Sequence, residues 1–331
     1  MFISNINALT TTLEELIINA KNILLLTHKN PDGDGLATCL ALKTIINGIY
    51  KKDTAILLEK EAPDFLDFLN VQIHTTADKP QQDFDLIIIT DCHEFTRAYH
   101  DESLLINAKK VIFIDHHEIV KNAIKSNFLY YIDPHAVSTG VILHDVYKHF
   151  LQRLSKEDSN YYAQCIYTTI LNDTDNFINS NVDAKVFSVC HDLMKYELNP
   201  QQVVTDFLLK KPPQYYQFIG NVLSTIEIHN DKRVLFMHSS LQMLERLGLD
   251  QDASSKMMRW VKGVKDIDIQ VYFQQVEEKL FRISLRSDKY EVNTLASFFG
   301  GGGHKKAAGC EIKGTLTEAK SMILEQIRHL S

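Results

Sequence analysis

The sequence predicts an α/β protein, a doubly wound and mostly parallel sheet followed by a smaller α+β domain. Three observations predict it. Short Ile/Leu/Val runs ("ILLLTH", "TAILLE", "DLIIITD", "KVIFIDHH") alternate with helical patterns such as "LATCLALKTIINGIY", which is how parallel strands covered on both faces read. Three of these runs end in Asp or His, at His28, at Asp91, and at Asp115 with His116 and His117. Open α/β sheets bind their ligands beyond those carboxyl ends. After a proline-containing stretch the pattern changes to two β-rich runs separated by a polar turn, "DIQVYFQQV" and "KLFRISLRS".

In chain order, a helical pattern runs from about Leu13 to Ala20, with Thr10–Thr12 offering an N-cap. The strand "NILLL" discharges into "THKNPDGDGLAT", which crowds His28, Asp32 and Asp34 around a Pro-Asp-Gly-Asp-Gly turn. Taken alone, that loop is equally a solvated turn capping the next helix. It is not a calcium loop. Counting Asp32 as position 1, positions 5, 6 and 12 are Leu36, Ala37 and Lys43, where an acid, a glycine and a glutamate are needed. From Val137 to about Tyr196 the pattern is mainly helical, interrupted by "LNDTDNFINSN". The stretch "YELNPQQVVTDFLLKKPPQ" holds three prolines and marks the interdomain connection. The expected boundaries are 1–196 for the first domain, 197–214 for the connection and 215–331 for the second domain.

Composition narrows the function. A chain of 331 residues is long for one core and suggests two domains. Its net charge of −7 argues against a broad grip on duplex nucleic acid. A short oligonucleotide or small phosphate ligand held by a few local cations remains compatible. Cys39, Cys92, Cys165, Cys190 and Cys310 are scattered, odd in number and without a CxxC, which reads as reduced thiols in a cytoplasmic protein. No basic start with a long apolar stretch opens the chain. No apolar run nears the roughly 18 residues of a membrane helix. These features predict no membrane partner and leave a homodimer open.

The acids and histidines carry the chemistry. "DCHEF" at Asp91, "DHH" at Asp115 and "NDTDNF" with Asp173 and Asp175 are each ordinary caps or turns alone. Together, imidazole nitrogen and several carboxylates without cysteine suit Mn²⁺ or a similar octahedral ion and disfavour structural zinc. The run Gly300–Gly303 is followed by His304, Lys305 and Lys306. No GK[ST] follows, so it is not a Walker loop. It reads either as a flexible linker with a solvated lysine pair or as backbone that approaches an anion closely.

"HKNPDGDG", the strand-ending "TDC", "IDHH" and "NDTDNF" resemble, in order, the four motifs of the DHH phosphoesterase family. The segment "RSDKYEVNTLASFFGGGGHKKAAGC" resembles that family's DHHA1 domain. Within the family the length and domain pair look most like the branch of oligoribonucleases and pAp phosphatases (pAp is adenosine 3′,5′-bisphosphate). The resemblance implies a site for two divalent ions, Mn²⁺ first, with Mg²⁺ or Co²⁺ as alternatives. His28, Asp32 and Asp91 would hold one; Asp34, Asp91, His116 and Asp173 would hold the other. His117 would face the phosphate, with Asp115 orienting the pair. Gly302, Gly303 and His304 would bind the substrate's terminal phosphate or sugar, with Arg286 as a second clamp.

Two residue patterns depart from the family's. Gly35-Leu36-Ala37-Thr38 stands where a small residue and Gly-Ser usually follow the second Asp, and Asp173-Thr174-Asp175 where Asp-Thr-Gly is usual. The fourth motif therefore offers two acids, with alignment pointing to Asp173. Gly33 is expected to bend the loop so that Asp32 and Asp34 serve different ions. The implied activity is in-line attack of a metal-generated hydroxide on phosphorus, cutting short single-stranded RNA or DNA to mononucleotides, pAp to AMP, or both. The rivals are a cyclic- or linear-dinucleotide phosphodiesterase, a family II pyrophosphatase, whose Ser-Arg-Lys-type signature is not found, and an inactive nucleotide-binding protein.

Overall fold

The computed structural model describes residues 1–70, 73–75, 83–119, 124–229 and 233–330. It divides into two units, Met1–Lys210 and Lys211–Ser331. The first unit opens with α1 (Ile6–Asn19), β1 (Ile23–Leu26), α2 (Gly33–Tyr50), β2 (Thr54–Leu58) and β3 (His74–Thr75). It continues with β4 (Leu86–Thr90), α3 (Phe95–Ala98), α4 (Ser103–Ile106), β5 (Lys110–Asp115) and β6 (Leu129–Ile132). The helices α5 (Thr139–Tyr147), α6 (Lys156–Thr174), α7 (Ala184–Met194) and α8 (Pro200–Val204) complete it.

The first sheet runs β3-β2-β1-β4-β5-β6, and its pairings are parallel throughout. The alternation of side chains across a strand explains why its runs are apolar without interruption. Ile23 and Leu25 of β1 and Leu86 and Ile88 of β4 enter one core, which includes residues of α1, α2, α5 and α6. Leu24, Leu26, Ile87 and Ile89 enter a separate core with Phe95, Tyr99 and Leu105 on the other face. The strand order reverses between β1 and β4, so the ligand crevice of such a sheet falls at their carboxyl ends.

Three expectations need correction. The first helix starts at Ile6, seven residues earlier than Leu13, and Asn5 caps it by accepting from the Ala8 N–H at 3.0 Å. Thr10 and Thr11 donate instead to the carbonyls of Ile6 and Asn7, inside the helix. The strands β3 and β6 were not expected; both are short and lie in the outer part of the sheet. The connection 197–214 is largely not a free linker. After α8 the chain makes a wider helical turn over Thr205–Leu209. Val203 and Phe207 are buried in the first unit's core, the Phe207 ring 6.0 Å from that of Phe65.

The second unit contains α9 (Pro213–Leu223), β7 (Glu227–His229), β8 (Val234–Ser239), α10 (Leu241–Leu247), β9 (Ile269–Glu277) and β10 (Leu280–Arg286). It ends with α11 (Val292–Phe298), β11 (Gly302–His304), β12 (Ala307–Lys313) and α12 (Leu316–Arg328). Its sheet runs β11-β12-β10-β9-β8-β7, with β8 and β9 parallel and the rest antiparallel, the α+β arrangement expected. Val234 and Phe236 face the core under α11 and α12; Leu235 and Met237 face the core under α9 and α10. The glycine run is not a free linker throughout: Gly302–His304 is an exposed edge strand paired with β12. Gly303 has φ 137°, and a Cβ there would stand 2.6 Å from the Ala307 carbonyl oxygen. Among the described residues no helix is long and apolar enough to cross a membrane.

Candidate metal centre

The carboxyl ends of β1, β4 and β5 place His28, Asp91 and the Asp115–His117 segment together, and the adjoining helices add the remaining carboxylates. Asp32 caps α2, its Oδ1 accepting from the N–H groups of Asp34 at 3.0 Å and Gly35 at 3.2 Å. Asp34, in the first turn of the helix, is fully buried. Its carboxylate accepts from the N–H of Thr139 at 2.7 Å and of Gly140 at 3.0 Å, so the positive end of α5 supports its charge. Asp91 follows β4 in a left-handed conformation, φ 62°, which Asp tolerates better than most residues. Its N–H still donates to the Ile114 carbonyl at 2.9 Å.

Asp91 stands at the middle of the cluster. Its Oδ2 lies 3.3 Å from His28 Nε2, and its Oδ1 lies 3.6 Å from His116 Nε2. His28 Nε2 is also 3.6 Å from Asp32 Oδ1. His116 Nε2 is 3.7 Å from Asp34 Oδ2 and 3.6 Å from Asp173 Oδ2. Among the described residues three groups could therefore hold a metal ion: His28, Asp32 and Asp91; Asp34, His116 and Asp173; and Asp91, His116 and His117. His116 Nδ1 lies 3.2 Å from the Ala136 carbonyl, an acceptor only. That nitrogen therefore carries the proton, and the Nε2 lone pair faces the carboxylates.

The electrostatics fit a cation. Asp91 is pushed well above the usual carboxylate range by burial and by Asp34, Asp32 and Asp115. Asp173 is pushed up likewise by burial and by Asp34, Asp91 and Asp32, and its buried Oδ2 has no hydrogen-bond partner. A buried orphan oxygen among carboxylates is costly unless a cation sits against it. Burial would raise Asp32 too, but His28, the Asn172 amide and the Gly35 N–H outweigh it and hold the carboxyl low.

Asp115 has a supporting position. Its Oδ1 accepts from the N–H groups of His116 at 2.8 Å and His117 at 3.1 Å, and from His117 Nδ1 at 2.8 Å. Its Oδ2 bonds the buried ring of His93. The bond from Asp115, with its charge, raises the His117 pKa against the effect of burial. His117 Nδ1 also lies 3.6 Å from Asp91 Oδ1; since Asp115 occupies Nδ1, Nε2 is the nitrogen left to meet a ligand.

The structure also answers the questions the loops raised. Gly33 opens α2 and does not bend the chain through a left-handed turn; a Cβ there would stand 2.7 Å from the Phe207 ring and 3.0 Å from Asn172 Cβ. A Cβ at Gly35 would strike Thr27 Oγ1 and come within 3.2 Å of the His28 ring. Thr38, in the departure from the usual motif, donates to Asp34 Oδ1 at 3.2 Å. Asp175 takes the left-handed position at the end of α6, φ 47°, the conformation glycine adopts most freely. It belongs to none of the metal-capable groups.

Three contributors went unpredicted. His93 is two residues from Asp91, Asn172 directly precedes Asp173, and Thr139, whose hydroxyl donates to Asp91 Oδ1 at 3.3 Å, opens α5. A polar residue beside each nominated acid was the signal for the first two; none marked Thr139.

In the second unit, Arg286 ends β10 and bonds its own neighbour, the Leu285 carbonyl, at 2.9 Å. Arg286 and His304 both pair with Ala307 of β12. Lys305 pairs with Glu291 at 2.7 Å and Lys306 donates to the Asp288 carbonyl, so neither lysine is merely solvated.

A parallel doubly wound unit with carboxylates and imidazoles at its strand ends, followed by a mixed-sheet unit, defines a class of two-domain α/β proteins built around a metal-capable centre. The chain belongs to the DHH/DHHA1 phosphoesterase family: residues 22–170 match the DHH family, N-terminal domain, and residues 235–330 the DHHA1 domain. The bifunctional oligoribonuclease and PAP phosphatase NrnA of Thermus thermophilus is 28% identical over 314 residues, 92% of this chain and 89% of that protein. The cyclic-di-AMP phosphodiesterase PdeA of Listeria monocytogenes is 22% identical over 96% of this chain but only 49% of its own length. An exopolyphosphatase-related protein from Bacteroides fragilis shares the fold: its crystal structure matches with a TM-score of 0.86 at 21% identity, covering 98% of this chain and 96% of that one.

Proposed function

We propose that this protein is a Mn²⁺-dependent phosphoesterase that hydrolyses short single-stranded oligoribonucleotides to mononucleotides and pAp to AMP. The observation that carries the reading is Asp91, whose two carboxylate oxygens face different imidazoles, His28 at 3.3 Å and His116 at 3.6 Å. A carboxylate so placed suits two ions, one held by His28, Asp32 and Asp91, the other by Asp34, Asp91, His116 and Asp173. The mixed imidazole and carboxylate set fits Mn²⁺, with Mg²⁺ or Co²⁺ as alternatives. Bound divalent ions would supply an activated water and neutralise charge developing on the phosphoryl oxygens.

The chain's own residues do the remaining work in this proposal. Asp115 holds His117 through Nδ1, so that Nε2 can meet a phosphoryl oxygen. Arg286, Gly302, Gly303 and His304 bind the substrate's terminal phosphate or sugar, Arg286 through its planar fork of donors. The relatives named as oligoribonucleases and PAP phosphatases support this substrate class. Five unbridged cysteines suit a reducing compartment, which supports the cytoplasm.

The test is a substrate panel with Mn²⁺: pAp, RNA of a few nucleotides, linear and cyclic di-AMP, and pyrophosphate. Turnover of short RNA and pAp is the expected result. Turnover of pyrophosphate alone overturns the substrate assignment, and turnover of the cyclic dinucleotide alone moves it to the PdeA-like reading. No turnover of any substrate by protein loaded with Mn²⁺ overturns the enzymatic reading, and nucleotide binding without turnover then identifies an inactive nucleotide-binding protein.

A further inference from the structure

We infer that Asn172 is a positioning residue that couples the two halves of the metal centre and sets the spacing between their ions. The inference rests on the two-ion reading proposed above. Asn172 lies in the last turn of α6, directly before Asp173. Its Nδ2 donates to Asp32 Oδ2 at 2.9 Å and to Asp173 Oδ1 at 3.0 Å. Its Oδ1 accepts from the Gly33 N–H at 3.2 Å. One planar amide thus uses both N–H bonds and its oxygen within the centre.

The choice of oxygens gives the geometry its consequence. Asn172 takes one oxygen of each carboxylate; the other two, Asp32 Oδ1, which also caps α2, and Asp173 Oδ2, each lie 3.6 Å from an imidazole nitrogen, of His28 and His116 respectively. In the proposed assignment Asp32 belongs to one ion and Asp173 to the other. The two hydrogens of an amide diverge at a fixed angle, so the separation of the two carboxylates is set by a rigid group. Asp91 bridges the halves from one side and Asn172 ties them from another.

Two further features show that the contact is built into the fold. The close approach of Asn172 depends on a glycine at 33, where a Cβ would lie 3.0 Å from Asn172 Cβ. The Asp173 main chain is held independently, its carbonyl accepting from Asn179 at 2.8 Å and Asn181 at 3.2 Å. Loss of the Asn172 amide therefore frees the Asp173 side chain, while other contacts still hold its backbone. Partners that orient ligands are worth roughly 10–100-fold in metal affinity.

The experiment titrates metal-free wild type and Asn172→Leu with Mn²⁺ by calorimetry and records electron paramagnetic resonance of the loaded proteins. Leucine is similar to asparagine in shape and has no donors, and melting of the metal-free proteins checks the fold. Wild type is expected to take up two ions with the signature of an exchange-coupled pair. Asn172→Leu is expected to bind one ion at least tenfold more weakly, an effect in the range of such orienting partners, and to lose the coupled signal. A variant that binds two ions within about twofold of wild type affinity, far less than such partners contribute, with an unchanged spectrum, overturns this inference alone. Wild type that takes up one ion or none overturns the two-ion reading and this inference with it. Where the Asn172→Leu variant does not fold, Asn172→Ser keeps one donor; it is expected to alter the coupled signal, and an unchanged signal overturns the inference.

Discussion

Arg286 and His304 take the same residue, Ala307, as their cross-strand partner, one from β10 and the other from β11. Residues paired across antiparallel strands point to one face of the sheet. The guanidinium and the imidazole therefore leave one face, their backbones about 10 Å apart, two strand spacings, with only a methyl group between them. A large side chain at 307 should fill that space. Ala307→Leu is expected to raise KM for a short oligoribonucleotide on the order of tenfold, the value of one lost contact to a charged group, with kcat nearly unchanged. Steady-state kinetics check it; an unchanged KM places substrate binding elsewhere.

The cluster of Asp32, Asp34, Asp91 and Asp173 should destabilise the metal-free protein near neutral pH. Asp91 and Asp173 are raised well above the usual range by burial and neighbouring carboxylates, and their ionised forms therefore cost stability there. A saturating divalent ion at about 100 times its Kd would contribute about 2.7 kcal/mol. Melting curves should move up by roughly 5–10 °C with Mn²⁺ for a unit of this size and return with chelator. Metal-free Asp173→Asn should melt above metal-free wild type and respond less to Mn²⁺. Equal melting temperatures with and without ions would count against a metal centre.

Gly35 is packed where no side chain fits, against Thr27 and the His28 ring. Gly35→Ala overpacks this corner and is expected to cost about 1–3 kcal/mol while displacing His28. Denaturant unfolding of the metal-free variant measures the first effect, and Mn²⁺ titration the second. A variant as stable as wild type with unaltered Mn²⁺ affinity would refute the tight fit.

His93 bonds the Asp115 oxygen that His117 does not use. His93→Leu leaves that buried carboxylate oxygen without this donor and loosens the hold on His117. The expected result is a kcat about ten- to a hundredfold lower, as for other supporting partners in metal sites, with two ions still bound. Metal analysis alongside turnover checks both parts; full activity would remove His93 from the mechanism.

His144 of α5 is fully buried, and neither ring nitrogen has a hydrogen-bond partner. Burial, against the attraction of Asp145 and Asp192, lowers its pKa to about 4. Unfolded, the ring takes a proton below about pH 6.5; folded, it resists until about 4. The unfolded state thus binds more protons between these values, and stability falls as pH falls through that window. The loss should be about 1.4 kcal/mol at pH 5.5 relative to neutral pH. Urea unfolding of metal-free wild type and His144→Leu at pH 7.5 and 5.5 should show the variant losing less by that amount. Parallel losses would assign the pH dependence to other groups.

The candidate ligands were legible because chemistry and strand position coincide in the sequence. His28, Asp91 and Asp115 each close an apolar run, and strand ends in a parallel sheet converge on one edge whatever the loops do. Asn172 and His93 were written beside nominated acids, but spacing along a chain does not say which oxygen a neighbour will bond. Thr139 lies 48 residues from Asp91 and was not legible at all, because its place depends on α5 packing across α2. The expected connection shows the same limit: three prolines signalled a break and the units do divide within it, between Lys210 and Lys211, yet local pattern did not show that Phe207 packs into the first core.

By itself the sequence determined an α/β unit followed by an α+β one, the polarity of the first sheet, and acids and histidines gathered at its strand ends, since these follow from local periodicity and residue type; the choice of six ligands among them came from the resemblance to the DHH family. Only the tertiary structure decided that Asp91 turns its oxygens to two different histidines, that Asn172 ties Asp32 to Asp173, and that Gly33 and Gly35 are required by close packing. Those outcomes depend on distances between segments remote in the chain, which burial and helix packing fix and no local pattern encodes.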